Sequence, residues 1–422
     1  MEDRAEMVEW IDKARSGGAR AAEVYREASV ILEQDGYRAR PLTRTELTWR
    51  MRVYGEGGRT GVAAGTNGGS VLAEALALAT NPATPPDAYA GPAERMSVRA
   101  AGLGVDDRRH FGISDEDRGE VLHLAEKAFE RSVATLTGLK YRQVRVVRAW
   151  LSSRGVEAEE SATEYRVSAV AVAGDVSARH IIASRHFSDV ASLPFGTELR
   201  RRIESLLVSE PQPVVALPVL LDPRVTADLV RTIAPAFAAD AVAQGSFIAH
   251  RLGQRLAAPT LHVTDDAGLF GGLHSHGFDE RGVPPIAVAL LKEGVVHGLY
   301  YDPESARAHA LRPTGHVSGG RLRPANLTVR PGARTRNVIL TEIGPHLVLD
   351  RLPPFDLHQG RWTGVVPVVV ADRHERKGAF PLRLDIDAEA LLGAIVELAG
   401  DQERCCEVDA PSAILDGRIL AR

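Results

Sequence analysis

The chain has 422 residues, of which 44% are hydrophobic and 25% charged, a balance that excludes a wholly disordered or collagen-like protein. Its net charge of −4 argues against general nucleic-acid binding, and its two cysteines, adjacent at Cys405 and Cys406, exclude a disulfide framework. Since no apolar run of about 18 residues occurs and the charged N-terminus lacks the order of a secretory signal, we expect a cytoplasmic protein without a membrane partner.

The first quarter of the chain predicts helices and strands in alternation. Residues 3–16 are typical of an amphipathic helix ended by a glycine pair, and residues 45–58 begin with the alternation of a strand. Residues 70–79 predict a buried helix, and residues 81–92, rich in proline, predict a loop. The positions expected on the buried faces of the first helix and strand are Met7, Val8 and Ile11, and Leu47, Trp49, Met51 and Val53.

A capped helix and an antiparallel meander follow. Ser114 is a typical N-cap, and the period of the apolar residues after it is helical. From Gln143 to Ser188 the period changes to two, which predicts three strands joined by short turns, and residues 197–208 predict another helix. The helical stripe expected after Ser114 is Val121, Leu122, Ala125, Ala128, Phe129, Val133 and Leu136.

The second half predicts a β-rich unit. A short strand over 214–221 is followed by a long alanine-rich helix over 224–252, which Pro235 would break, and then by many short strands between glycine and proline turns. These strands include NVILTEIG, HLVLD and WTGVVPVVVAD. A last helix over 388–398 and a strand over 413–420 end the pattern.

These elements predict an α+β protein of two domains, because the Pro-rich stretch 209–218 is typical of a boundary. Residues 1–208 would form an α/β domain with antiparallel strands and flanking helices. Residues 209–422 would form a β-rich, barrel-like antiparallel domain with the long helix.

The motifs that suggest chemistry are each incomplete. The glycines of 55–65 lack the spacing of a phosphate loop and predict a hairpin turn. His374 and Glu375 have no second histidine four or five residues later, so they predict a charged loop rather than a zinc helix. The adjacent cysteines cannot easily converge on one ion and are expected to be buried or incidental.

The pair His274 and His276 is the strongest candidate metal site in the residues themselves. On a strand the two imidazoles would point the same way, and Asp279 or Glu280 could add oxygen ligands. Two histidines alone are weak evidence, because zinc sites need three or four ligands. We expect no metal here, although a third ligand from His262, His297 or His316 would complete a site.

The order of segments resembles the TldD/TldE (PmbA) family over nearly the whole chain. ELTWRMRVYGEGGRTGVAAG and its following helix are similar to the family's opening, and SSRGVE resembles its NSxG turn. The second half is more similar, and FDERGVPP followed by KEGVVHGLYYD is fairly specific. Its further matching blocks are PVLLDPRVTADLV, GSFIAHRLGQRL, PTGH and PANLTVRPG.

The resemblance implies a role for the chain. TldD-type subunits carry HExxxH on a helix just after an apolar strand, where two histidines hold zinc and the glutamate activates water. The matching positions here are Asp222, Pro223 and Ala227. The resemblance therefore implies a non-catalytic TldE-type subunit without a cofactor, in a heterodimer whose TldD-type partner holds the zinc and cleaves a peptide or small amide.

The resemblance also implies a substrate channel, which we expect the block GLHSHGFDERG to face. His274, His276 and His316 could there contact a polar or carboxylate-bearing substrate. The chain lacks the family's late motif GDFSxGAxGFxIENGEI and has an atypical HSH segment. These departures suggest a specialised substrate, such as one in secondary metabolism.

Two other functions remain open. The chain could be a self-sufficient metallohydrolase that uses His274 and His276. It could also be an interaction protein of the kind that gave the family its label as a DNA gyrase modulator.

Overall fold

A six-stranded antiparallel sheet organises the N-terminal half of the computed structural model, which describes residues 2–92, 102–213 and 215–420. Its strand order is β3-β2-β1-β4-β5-β6. The strands are β1 (Ala21–Asp35), β2 (Leu42–Tyr54), β3 (Thr60–Gly65), β4 (Thr135–Ser152), β5 (Glu157–Ala173) and β6 (Val176–Ser184). The predicted meander is confirmed as β4, β5 and β6, and the predicted glycine hairpin lies between β2 and β3.

Helices cover this sheet in two groups. At one end α1 and α2 pack on the side chains that alternate along β2, including Trp49, Met51 and Val53. At the other end α5 packs on β5 and β6, and α3 packs on β4 and on α5. The helices are α1 (Glu2–Ser16), α2 (Gly68–Thr80), α3 (Asp115–Lys127), α4 (Phe187–Ser192) and α5 (Phe195–Leu207).

The C-terminal half contains two larger sheets around one apolar core. A six-stranded sheet has the order β10-β9-β8-β13-β20-β19, and a seven-stranded sheet has the order β15-β16-β14-β7-β21-β18, with β17 on β16. Most pairs are antiparallel, as predicted, whereas β13 with β20 and β14 with β7 are parallel. The α+β class is confirmed.

The strands and helices of this half are short apart from β16 and β17. The strands are β7 (Val219–Leu221), β8 (Val263–Asp265), β9 (Val288–Lys292), β10 (Val295–Val296), β11 (Val317–Ser318), β12 (Arg321–Leu322), β13 (Leu327–Val329), β14 (Pro345–Leu349), β15 (Phe355–Asp356), β16 (Arg361–Asp372), β17 (Glu375–Asp387), β18 (Ile395–Leu398), β19 (Glu403–Cys405), β20 (Val408–Ala410) and β21 (Ala413–Leu415). The helices are α6 (Pro223–Ile233), α7 (Ala239–Ala243), α8 (Pro303–Ala308), α9 (Arg336–Ile343) and α10 (Ala388–Gly393).

The predicted helix over 224–252 is wrong in its length. The α-helix ends at Ile233, a 3₁₀ turn contains Pro235, and α7 ends at Ala243. Proline cannot donate a helical hydrogen bond, and Gly245 and Gly253 adopt positive φ angles. Several alanines of this segment are fully buried, so they serve close packing rather than helix continuity.

Other predictions fail where pairing between distant segments decides the local structure. NVILTEIG was expected to form a strand and forms α9, and the helix predicted over 388–398 ends at Gly393. Residues 395–398 instead form β18, because they pair with β21. The final strand ends at Leu415, and the predicted strand over 214–221 is confined to β7, its residue 214 lying outside the described residues.

Three apolar positions of the predicted helices also differ. Val8 on α1 is exposed, whereas Met7 and Ile11 are buried as expected. The helix after Ser114 ends at Lys127, so Val133 is exposed and Leu136 belongs to β4. The pairing of Thr135 with Val172 extends the strand into residues whose spacing alone is helical.

The two halves share apolar and polar contacts. Leu199 and Ile203 of α5 belong to the same buried cluster as Leu220, Val348 and Ile414 of the C-terminal half. No helix in the described ranges is long and apolar enough to span a bilayer.

A buried arginine provides one of the polar contacts between the halves. The Arg281 guanidinium donates to Glu23 Oε2 at 3.0 Å, to Tyr54 Oη at 2.8 Å and to Glu304 Oε2 at 2.6 Å. Glu23 and Tyr54 lie on β1 and β2, whereas Glu304 lies on α8. Beside it, Gly282 has φ of +69°, and a Cβ there would lie 2.4 Å from the Trp150 ring. The FDERG block therefore fastens the C-terminal half to the N-terminal sheet.

We expect Arg281→Gln to lower the free energy of unfolding by about 3–5 kcal/mol, because it removes the buried cation that lies between the Glu23 and Glu304 carboxylates. Urea denaturation followed by circular dichroism measures the change. Arg418→Gln is the matched control, since it removes an ion pair from an arginine side chain that is 84% exposed, and its midpoint should equal that of the wild type. An unchanged midpoint in Arg281→Gln would show that the other contacts hold the halves together without this ion pair.

Candidate functional site

The positions that match HExxxH lie at the start of α6, directly after β7. The Asp222 side chain accepts a hydrogen bond from Val225 N at 3.0 Å and so caps the helix. Pro223 occupies the first helical turn, where its missing N–H costs nothing. The Ala227 side chain is completely buried in the core. Each residue thus has a structural role in beginning the helix.

Ion pairs surround this helix start. Arg202 donates to both carboxylate oxygens of Asp350, at 2.6 and 3.0 Å, and Arg224 donates to Asp350 O at 2.6 Å. Burial alone would raise the pKa of Asp350, but the hydrogen bonds and charge of Arg202 outweigh it and hold that pKa below its ordinary value. On the next turns of α6, Arg231 pairs with Glu407 and Asp228.

These residues do not fit a zinc ion. Asp222 offers one carboxylate, which already caps the helix, and neither Pro223 nor Ala227 has a donor atom. Throughout residues 2–92, 102–213 and 215–420, no group of three or more His, Cys, Asp or Glu side chains is arranged to hold a metal.

The two cysteines at the end of β19 are unpaired thiols that are partly buried. Burial raises the pKa of Cys405 to about 12 and that of Cys406 to about 11. Both therefore stay protonated near pH 7, which makes them poor nucleophiles and poor metal ligands.

A cavity of 850 Å³ lies between the N-terminal sheet and the C-terminal half. Its walls combine side chains of β1, β4 and β5 with those of α6 and of the loop 266–283 that follows β8. All three predicted channel histidines line it. The charged residues of its walls are Glu27, Glu46, Arg142, Arg148, Glu164, Arg185, Arg231, Asp240, Asp279, Glu280, Arg321, Arg323 and Glu407.

His274 projects into this cavity from a loop whose backbone is fixed. Asn326, in the PANLTV block, accepts from His274 N at 2.9 Å and donates to Ser275 Oγ at 3.0 Å. His274 is exposed to solvent within the cavity. The cavity walls nevertheless remove part of the water around its ring, which lowers the pKa of His274, while the charge of Glu407 acts in the opposite direction. The described residues provide no hydrogen bond to the ring, so a neutral imidazole is open to the cavity.

His276 has a different environment. Its Nδ1 lies 3.0 Å from His274 O and its Nε2 lies 2.9 Å from Gly315 O. Burial lowers the pKa of His276 to about 4, although the two carbonyls favour the protonated ring. The ring is therefore neutral at pH 7 and has one N–H, so it donates a hydrogen bond to only one of the two oxygens. The ring lies between the loop 266–283 and the PTGH block.

His316 is a buried residue of the cavity wall. Its Nδ1 lies 2.8 Å from Thr314 O, its ring packs on Tyr300, and its Nε2 lies 3.8 Å from Asp265 Oδ2. Asp265 accepts from Tyr300 Oη at 2.7 Å and from Asn326 N at 2.7 Å. The substrate role expected for His274, His276 and His316 stays a prediction. His262 and His297, offered above as third metal ligands, are not among the residues that line this cavity.

Arg185 is a cavity residue that the sequence does not single out. It is 3% exposed and donates to three backbone oxygens, Thr163 O, Gly272 O and Ser275 O, at 3.0–3.2 Å. It follows β6 in a segment whose only local signal is strand alternation. Its partner Ser275 lies 90 residues away in sequence, so no local pattern indicates this contact.

Comparison with known proteins places these features in context. Residues 215–413 match the family model of the PmbA/TldA metallopeptidase C-terminal domain. The chain is 24% identical over 245 residues to the metalloprotease PmbA of Escherichia coli O157:H7, covering 56% of this chain and 54% of that protein. It is also 24% identical over 245 residues to a metalloprotease of Methanothermobacter thermautotrophicus, covering 54% of this chain and 53% of that protein. The matched segment thus spans about half the length of these curated relatives.

Solved structures share the whole fold at low identity. A proposed modulator of DNA gyrase from Thermotoga maritima has a TM-score of 0.84 at 20% identity and covers 97% of both chains. TldE from Thermococcus kodakarensis has a TM-score of 0.81 at 18% identity, covering 97% of this chain and 98% of that one.

The low pKa of His276 predicts a pH dependence of stability. Since the folded pKa, about 4, lies below the ordinary value of 6.5, the unfolded chain binds more protons between these values and acidification destabilises the fold. Between pH 7 and pH 5 we expect the free energy of unfolding to fall by about 1–2 kcal/mol more in the wild type than in His276→Asn. Urea titrations at the two pH values measure this difference.

His297→Asn, at an exposed histidine outside the cavity, is the control and should keep the wild-type profile. Identical pH profiles for His276→Asn and the wild type would contradict the neutral, buried state of His276.

Proposed function

Because this chain belongs to the TldD/PmbA family of metalloprotease-like proteins, we propose that it is a TldE-type subunit that does not cleave peptide bonds itself. Its partner is a TldD-type subunit that carries HExxxH and the zinc. The two form a heterodimer in which this chain contributes walls of the substrate path.

The start of α6 carries this proposal. Metal-assisted hydrolysis needs ligands that hold the ion and a base that activates water. At the matching positions this chain has a helix cap, a proline and a buried methyl group. The ion pairs of Arg202 and Arg224 with Asp350 stabilise this arrangement, so a change to metal binding would require several substitutions.

The cavity supports a role in substrate binding. Its volume of 850 Å³ lies within the range of ligand pockets, about 300–1,000 Å³. It is bordered by strands β1, β4 and β5 and by the His274 loop. A peptide in such a space is well held as an added strand, because backbone hydrogen bonds do not depend on side-chain identity. The substrate we propose is a peptide or a small amide, in general turnover or in a biosynthetic step.

The metallohydrolase alternative has less support. Both nitrogens of His276 already face backbone oxygens, so that ring would have to turn before it could bind a metal. The interaction-protein alternative agrees with the name of the Thermotoga maritima structure, but it gives no role to a charged internal cavity.

Metal content tests the non-catalytic role. We expect the chain purified alone to contain substoichiometric zinc and to leave peptides intact, because the α6 positions offer no ligand set. Elemental analysis by mass spectrometry measures the zinc. Stoichiometric zinc that disappears in the His274→Ala/His276→Ala double variant would instead establish the metallohydrolase.

Co-expression tests the partner. With a TldD-type subunit that carries HExxxH, we expect a one-to-one complex on size exclusion that contains one zinc and cleaves unfolded peptides. An obligate interface of this kind buries more than about 2,000 Å² and survives dilution to micromolar concentration. Two proteins that elute separately under these conditions would refute the heterodimer.

A further inference from the structure

Arg185 differs in its partners from three half-buried arginines of the cavity. Arg148 pairs with Glu27 and Glu160, Arg142 with Glu33 and Glu164, and Arg231 with Asp228 and Glu407. Arg185 is the most buried of them, and within the described residues no carboxylate lies within 4 Å of its guanidinium.

Backbone oxygens satisfy only part of the Arg185 guanidinium. Nε, Nη1 and Nη2 each donate one N–H to a carbonyl, whereas a guanidinium has five N–H donors. The remaining two belong to Nη1 and Nη2, the pair of atoms that binds a carboxylate in a fork. Burial and the charge of Arg148 lower the pKa of Arg185 to about 10, so the group is still a cation at pH 7. The charges of Glu164 and Glu160 act in the opposite direction, but neither carboxylate contacts the guanidinium. A buried cation with no carboxylate in contact is costly, and an anion in the cavity would offset that cost.

His274 supplies a second donor beside this cation. The charge of Arg185 contributes to the lowered pKa of His274, so the two groups are electrostatic neighbours in the same cavity. Arg185 also holds the loop on both sides of His274, through Gly272 O and Ser275 O. Arg185 therefore helps to fix the backbone from which His274 projects.

From this geometry we propose that Arg185 and His274 form a carboxylate-binding site, and that it holds the C-terminal carboxylate of a short peptide in the cavity. The Arg185 fork binds the two oxygens, and the neutral His274 ring donates a further hydrogen bond. Glu164 and Glu407 line the same cavity, and their charges favour a singly charged carboxylate over a phosphate dianion. This proposal deepens the proposed function by naming the substrate class, but binding to this chain alone tests it.

The experiment compares two peptides that differ in one group. Acetyl-tetraalanine with a free C-terminal carboxylate and the same peptide with a C-terminal carboxamide are titrated into the isolated full-length chain by calorimetry. We expect the carboxylate form to bind at least about tenfold more tightly, as a charge-assisted fork implies. Equal dissociation constants would overturn the proposal, as would inorganic phosphate competing as well as the carboxylate peptide.

Variants identify the side chains. Arg185→Gln should abolish the preference for the carboxylate, Arg185→Lys should retain part of it because the charge remains, and His274→Ala should reduce it severalfold. The matched control is Arg145→Gln, which removes a half-buried guanidinium that packs on Phe111 outside this cavity. A preference that survives Arg185→Gln would overturn the assignment.

A measurement on the unmodified chain covers the case in which Arg185→Gln does not fold. The carboxylate peptide should shift the ring resonances of His274, assigned by comparison with His274→Ala, and the carboxamide should not. Equal shifts with both peptides would contradict the proposal. Because none of these experiments needs the partner or catalysis, a negative result here leaves the heterodimer intact, and failure of the heterodimer leaves this site testable.

Discussion

The guanidinium of Arg281 joins the two halves of the chain, and this contact helps to fix the loop that forms one wall of the cavity. A buried cation must be surrounded by acceptors, and here they come from β1, β2 and α8. Beside it, Phe278 packs with Tyr25 and Trp150. These contacts place the loop 266–283 against the N-terminal sheet and leave the space behind it open as the cavity.

The same loop connects blocks of sequence that are far apart. The Asn326 side chain accepts a hydrogen bond from His274 N, and the Glu160 carboxylate accepts one from Gly277 N. The Nε2 atom of His276 lies 2.9 Å from Gly315 O. Gly315 has φ of +71°, and a Cβ there would lie 2.7 Å from Pro284 O. The blocks PTGH, PANLTV and FDERG therefore act together in positioning one wall, which gives a physical reason for their occurrence in one chain.

The start of α6 shows how side chains decide what a backbone position can do. A helix that begins just after a buried strand presents its first residues at a sheet edge, a suitable place for metal ligands. In this chain the same residues cap the helix and fill the core, and an ion-pair network around Asp350 takes the surrounding space. Function here follows from side chains on a shared fold rather than from the fold itself.

The sequence by itself determined the elements whose periodicity is long and uniform, namely α1, the capped start of α3, and the meander of β4 to β6. It also indicated the break at Pro235 and the lack of ligands at the start of α6, because these depend on the chemistry of single residues. Tertiary structure alone decided where short apolar segments lie, as in β18 and α9, since a run of four to eight residues suits either state until its partner is known. It also decided the cavity, because Arg185 meets the His274 loop across about 90 residues of chain, and no local pattern records a contact between segments that only folding brings together.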